Sequence, residues 1–295
     1  MTARGAVRGT GWLRAMPVVF VLIWSTGFIV ARYGMPFAPP FKFLAVRYAL
    51  SLVCFYAWVR LSHVTWPAPR SQWGHLAVTG MLIQAGYLGG VWAAVKLGMG
   101  SGLVALLVGV QPVLTAVWMS MRGGAVSRRQ WLGLLLGFAG LVLVVARKIG
   151  QGGEVTGITM SLALLALLCI TAGTLYQKRF LAPCDVRSAS VVQLGAALIV
   201  TLPSALLESE TIQWNSHSIG ALGWSVLALT LGGSSLLYIL IQRGTATAVT
   251  SLLYLVPPCT AVMAWLLFDE PITAVTVAGI ALTAVGVSLV VRAER

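Results

Sequence analysis

A chain of 295 residues that is 58% hydrophobic and 9% charged, with a mean hydropathy of +0.90, has too little polar surface to separate a core from water. Its solvent must be lipid. The net charge of +13 then belongs to loops beside anionic headgroups and excludes a nucleic-acid-binding role, since no soluble basic domain is present to carry one.

The first apolar run, 16–31, carries Trp24, Ser25 and Thr26. Arg4, Arg8 and Arg14 precede it as in a signal peptide, but no small-x-small cleavage site follows, so the run is read as a membrane helix. The second run, 43–59, contains Arg47, the one charge set well inside a span; such a charge must face protein, a wet cavity or the interface. Its depth, nearer one end than the midplane, assigns it to structure or a gate rather than to substrate contact. The third run, 74–95, places Gln84 and Tyr87 on one helical face, with Trp92 further along. His75 near its start reads as a satisfied structural histidine that could also titrate. Gly98, Gly100 and Gly102 follow; without a preceding strand and a later acid they form a tight turn rather than a dinucleotide site. The fourth run, 101–121, is interrupted by Pro112. The fifth, 131–146, has Gly133 and Gly137 one turn apart, a close-packing surface for a helix of this chain or of a second copy.

The sixth run, 157–176, carries Thr171, Thr174 and Tyr176. The seventh, 189–207, has Gln193 where the repeat described below would place an equivalent of Arg47. The eighth, 219–241, sets Ser234, Ser235 and Tyr238 on one face, and the ninth and tenth cover 246–267, with Pro258, and 272–291. Each run is near the ~20 residues that cross a bilayer as a helix. Strands of a membrane barrel would instead alternate strictly, so ten helices are expected. The four cysteines are scattered, and neither a metal-ligand spacing nor a catalytic constellation is present; no cofactor, metal or enzymatic activity is expected.

The runs repeat. GMGSGLVALLVGVQP at 98–112 matches GTATAVTSLLYLVPP at 244–258, an offset of 146 (112 to 258). The same offset pairs Gly27 with Gly173, Gly86 with Gly232, Gly133 with Gly279 and Gly140 with Gly286. The fold expected is all-α and integral to the membrane, with ten helices in two five-helix repeats, 1–148 and 149–295, forming one transport domain. An odd number of spans per repeat makes the second copy inverted. With the N-terminus inside, 14 of the 20 Lys and Arg residues are cytoplasmic, so both termini are expected there.

WSTGFIVARYG in the first helix, FLAVRYAL in the second, the two Pro-terminated repeat segments, and FDEP followed by Gly279 and Gly286 together resemble the drug/metabolite transporter superfamily, EamA type. The resemblance covers nearly the whole chain. It implies four helices of each repeat around a central cavity, the fifth and tenth helices outside, and export of amino acids or other small metabolites across a bacterial inner membrane. Small four-helix members of that superfamily exchange protons through a first-helix glutamate; here Trp24, Ser25 and Thr26 occupy that region, so facilitated diffusion is the simpler mechanism. The candidate substrate site is Trp24, Ser25, Gln84, Tyr87, Trp92, Thr174, Tyr176, Ser234 and Tyr238, with Pro112, Pro258 and Arg47 as hinge or gate residues. The expected partners are a small-molecule substrate and the lipid bilayer; monomer and homodimer both stay open. Lipophilic-drug efflux is the alternative, and a non-transporting receptor or scaffold is the remote one.

Overall fold

A computed structural model describes residues 6–122, 127–148, 154–243, 252–270 and 272–292. Residues 244–251, which begin the second copy of the repeat segment and the ninth run, lie outside these, as do Arg4 and Arg295. The described residues form ten rods: α1 (Ala6–Gly34), α2 (Pro40–Leu61), α3 (Arg70–Lys96), α4 (Ser101–Met121), α5 (Arg128–Lys148), α6 (Gly157–Phe180), α7 (Val186–Leu207), α8 (Ser216–Gln242, its last helical segment running to Arg243), α9 (described from a turn at Leu253–Leu255 into Val256–Phe268) and α10 (Ala274–Arg292). Seven of these helices are long and apolar enough to cross a membrane over the described residues, and Val256–Phe268 and Ala274–Gly286 are shorter apolar helices.

Local chemistry marks several helix starts. Thr156 and Thr159 exchange backbone and side-chain hydrogen bonds at the start of α6, and Asn215 and Ser218 do the same for α8, satisfying amides that a helix leaves unpaired. Asp185 caps α7 through the Arg187 amide at 2.8 Å. The first turn of α2 is capped from a distance: both oxygens of Glu208, just past α7, accept from the Phe41 and Lys42 amides at 2.9 and 2.7 Å.

That contact fixes a direction. The start of α2 lies at the end of α7, while Ser188, at the start of α7, donates to the Thr65 carbonyl beyond the end of α2. The two helices are therefore antiparallel, as inverted repeats require. Packing follows the same exchange symmetry: α3 lies on α6 and α8 on α1, α4 on α6 and α9 on α1, α3 on α7 and α8 on α2. The outermost pair is α5 with α10, pressed backbone to backbone. A Cβ at Gly286 would sit 2.4 Å from the Gly133 carbonyl oxygen, and one at Gly140 would sit 2.6 Å from that of Gly279. The glycines spaced along the fifth helix are thus occupied by the tenth helix of the same chain.

Two irregularities matter for the centre. α3 widens to π-helical turns over Met81–Leu88, and α8 does so over Ser225–Ser234, positions that overlap under the 146-residue offset (88 to 234). α4 breaks at Gly109 and Val110, so that Pro112 sits in the first turn of the segment Gln111–Met121; Pro258 likewise sits in the first turn of Val256–Phe268. The breaks face each other, because a Cβ at Gly109 would meet the Pro257 ring at 2.6 Å. The turn before α4 has Gly98 at φ +98°, a conformation that glycine adopts without strain.

Charges segregate to the two ends. One end holds Glu154, Glu208, Glu210, Asp269 and Glu270, with Arg32, Lys42 and Lys96 among them, and is called the acidic end here; the other holds Arg60, Arg70, Arg122, Arg128, Arg179 and Arg187, with Asp185, and is the basic end.

Candidate functional site

Between the repeats lies a small cavity, about 20 Å³, bounded by Trp24 and Phe28 of α1, Arg47 of α2, Gln84, Tyr87 and Trp92 of α3, and Leu229 and Ser234 of α8. It has room for little more than one water. The π-helical turns build it. On α3 the widened turn leaves the Gln84 carbonyl free to accept the Tyr48 hydroxyl at 2.6 Å. On α8 the Thr230 hydroxyl donates back to the Ser225 carbonyl at 2.8 Å and accepts from Arg47 Nε at 2.9 Å. The consecutive residues Arg47 and Tyr48 thereby tie α2 to both irregular segments, a use of π-turns common at functional sites.

Aromatic rings close the cavity on themselves. Trp24 and Tyr87 are parallel with centroids 6.1 Å apart, and Phe43 and Trp92 stack at 4.8 Å. The Arg47 guanidinium lies 5.9 Å from the Trp92 ring centroid. Arg47 is thus part of the cavity wall, closer to the centre than its place in the second run implied. Its side chain is only 2% exposed, and Nη1 has no hydrogen-bond partner.

The structure gathers Trp24, Gln84, Tyr87, Trp92 and Ser234 around this space; Gln84 Nε2 donates to Ser234 Oγ at 3.4 Å. It sets the other candidates elsewhere. Ser25 donates to the Val21 carbonyl of its own helix at 2.7 Å. Thr174 donates to the Ile170 carbonyl and accepts from Gln111 Nε2 at 2.9 Å, beside a second, about 10 Å³ pocket below Trp24. Tyr238 meets Cys184 Sγ at 2.9 Å near the basic end, where burial raises the Cys184 thiol above its ordinary value. Tyr176 meets His75 Nδ1 at 2.8 Å, also toward the basic end. Sequence reasoning passed over Tyr48, Thr230 and Gln111. Each is a polar residue deep in a span; Thr230 extends the stripe of Ser234 and Tyr238 by one turn, a signal that could have found it, but only the folded pairing of helices reveals what the three serve.

The His75–Tyr176 contact has a twin. His75 at the start of α3 bonds Tyr176 and stacks on Phe180 at 5.4 Å; His217 at the start of α8 bonds Tyr33 at 2.6 Å and stacks on Phe37 at 5.4 Å. One set sits at the basic end and the other at the acidic end. The acidic end is further crossed by Lys96–Glu210 at 2.6 Å and Arg32–Glu270 at 3.7 Å, with Ser101 donating to Glu270 from its amide and hydroxyl. Contacts between the two repeats therefore bridge both ends among the described residues.

A larger hollow, about 530 Å³, lies between α4 and α6 toward the basic end, lined by Leu114, Val117, Trp118, Leu168, Leu175 and Phe180, among others. Arg122 covers Trp118 at 4.9 Å and Arg179 covers Phe180 at 5.4 Å. Trp118, Leu168 and Phe180 are exposed, so this hollow opens sideways rather than along the axis between the repeats.

Comparison with known proteins agrees with this arrangement. The sequence profile of the EamA-like transporter family matches twice, at residues 14–146 and 157–292. A Bacillus subtilis (strain 168) protein called "Uncharacterized transporter YvbV" is 26% identical over 92% of this chain and 88% of its own length. A Salmonella typhimurium (strain LT2) protein called "Probable amino-acid metabolite efflux pump" is 26% identical over 92% of each chain. A solved structure titled "Crystal structure of protein" superimposes with a TM-score of 0.71 over 95% of this chain and 98% of the other at 19% identity, which speaks for the fold alone. Ten helices in two five-helix repeats, matched repeat by repeat, make this chain a multi-pass membrane protein that belongs to the EamA-like transporter family.

Proposed function

We propose that the protein exports small metabolites, chiefly amino acids with neutral or aromatic side chains, across a bacterial inner membrane by alternating access. The observation that carries this reading is the small cavity between the repeats, where the rings of Trp24, Phe28, Tyr87 and Trp92 and a few convergent polar groups meet. The name of the Salmonella relative supports the substrate class. Repeats 1–148 and 149–295 act as one transport domain, with the breaks before Pro112 and Pro258 as its hinges. The acidic end faces the periplasm and the basic end the cytoplasm, following the positive-inside rule.

The sideways hollow favours one second reading, efflux of lipophilic drugs through the apolar wall between α4 and α6. Counterflow in proteoliposomes separates the two. The amino-acid reading expects labelled phenylalanine, leucine and similar solutes to exchange and lipophilic dyes not to compete; exchange of dyes alone would replace it with drug efflux.

A further inference from the structure

Resting on the amino-acid reading above, we infer that Arg47 is the substrate's carboxylate receptor, and that Gln84 faces it as the acceptor for the substrate's ammonium group.

The protein leaves one buried cation incomplete. Arg47 is enclosed in a span, where a guanidinium needs a counter-charge or a full set of acceptors. It has one neutral acceptor on Nε, the Thr230 hydroxyl, and the face of Trp92; Nη1 has nothing. The ion pairs formed between described residues lie at the two ends, and none includes Arg47. An arginine whose task was to staple helices would have its fork engaged by carbonyls or a carboxylate. This one is instead held firmly at Nε and left open at Nη1, beside the cavity.

A second orphan stands in the same wall. Gln84 Oε1 is buried and has no partner, while its Nε2 is bonded to Ser234. An unpaired donor carrying positive charge and an unpaired neutral acceptor are the complements of a carboxylate and an ammonium group. The rings of Trp24, Tyr87 and Trp92 supply the apolar remainder. A zwitterionic α-amino acid satisfies all three at once, whereas an amine leaves Nη1 unmatched, an amide offers it only a neutral oxygen, and both bring a net positive charge toward a cation. The cavity must widen to admit it, since about 20 Å³ holds no amino acid. Separation of the stacked Trp24 and Tyr87 rings is the local change that would do so.

The test compares phenylalanine, phenylalaninamide and phenethylamine as competitors in counterflow of labelled phenylalanine. Wild-type protein should prefer the free carboxylate by about tenfold or more, the range of a charge-assisted hydrogen bond. Arg47→Gln should erase that preference by weakening phenylalanine about tenfold while leaving the amide and the amine within about twofold. Arg47→Lys, which keeps the charge and loses the fork, should recover part of it. Thermal stability of each purified variant is measured alongside, and the wild-type comparison stands alone if Arg47→Gln does not fold. Equal competition by phenylalanine and its amide in the wild type would overturn the assignment, as would an equal loss for all three solutes in a folded Arg47→Gln variant. If the wild type exchanged no amino acid at all, the amino-acid reading itself would fall, and this assignment with it.

Discussion

Trp92 and Tyr87 are almost fully buried, so at the scale of single residues their packing and any ligand contact must be told apart. Truncating a large aromatic in a soluble core costs about 3 to 5 kcal/mol. A ring contact with substrate contributes about 0.5 to 1.5 kcal/mol beyond burial. Tyr87→Ala and Trp92→Ala should therefore lower the melting temperature and also raise the half-saturating concentration for aromatic amino acids several-fold per folded molecule; normal affinity in the surviving molecules would reduce both rings to packing. Asp185 supports a pH prediction. Hydrogen bonds from the Arg187 side chain hold its carboxyl below the ordinary carboxylate range, so the ionised form is the one that stabilises the fold. That contribution is present above the unfolded value and is lost as pH falls through the lower folded one. Asp185→Ala should melt earlier than wild type at neutral pH, with the gap closing below about pH 4; a gap that persisted in acid would show that the charge is not what caps α7. At this scale the sequence was partly legible. Arg47 stood out because a charge in a span is rare, but its partner Thr230 is 183 residues away, and nothing local marks a threonine as the holder of a guanidinium.

At the scale of elements the bridges at the two ends compete. Tyr33–His217–Phe37 and Tyr176–His75–Phe180 join the corresponding helices of opposite repeats, and alternating access requires one to open while the other holds. A net hydrogen bond contributes roughly 1 kcal/mol, about fivefold in an opening equilibrium. Tyr33→Phe should accordingly speed amide exchange about fivefold across Ser216–Trp224 while leaving Arg70–Gly80 unchanged, and the reverse pattern should follow from Tyr176→Phe. Equal changes at both ends would mean the two bridges do not report separate gates. Helix positions were readable from apolar runs because lipid admits little else; the third run, 74–95, became Arg70–Lys96. The π-helical turns were not readable. A π-turn shifts the helical phase by about one residue, which runs this uniformly apolar do not display, and the glycines near it, such as Gly86 and Gly232, also occur in ordinary close packing. The glycines of α5 were readable as a contact surface but not as to partner, which the meeting of Gly133 and Gly286 supplies.

At the scale of the whole molecule the repeat, visible as a 146-residue offset, made the architecture legible, and its symmetry makes orientation and energetics testable. Reporter fusions after Arg295 and within 122–129 should read as cytoplasmic, and one near Gly150 as periplasmic; a periplasmic C-terminus would break the proposed orientation. Energy coupling follows from where ionisable groups stand. Coupled carriers move protons through a group that titrates at depth and changes partners during the cycle. Here the buried polar side chains among the described residues are serines, threonines, glutamines, Arg47 and the tyrosines Tyr48, Tyr87 and Tyr238, while the described carboxylates stand in the connections at the two ends. His75 and His217 are at the ends as well, each bonded to a tyrosine. A zwitterion entering such a site brings no net charge and meets no carboxylate to deprotonate. Initial rates of phenylalanine counterflow should therefore be the same with and without an imposed pH difference, and net efflux should run down a substrate gradient alone. A strict requirement for a proton gradient would refute this; His75 would then be the first group to test, since His75→Gln should uncouple transport from pH if the proton passes through it and leave the requirement intact if it does not.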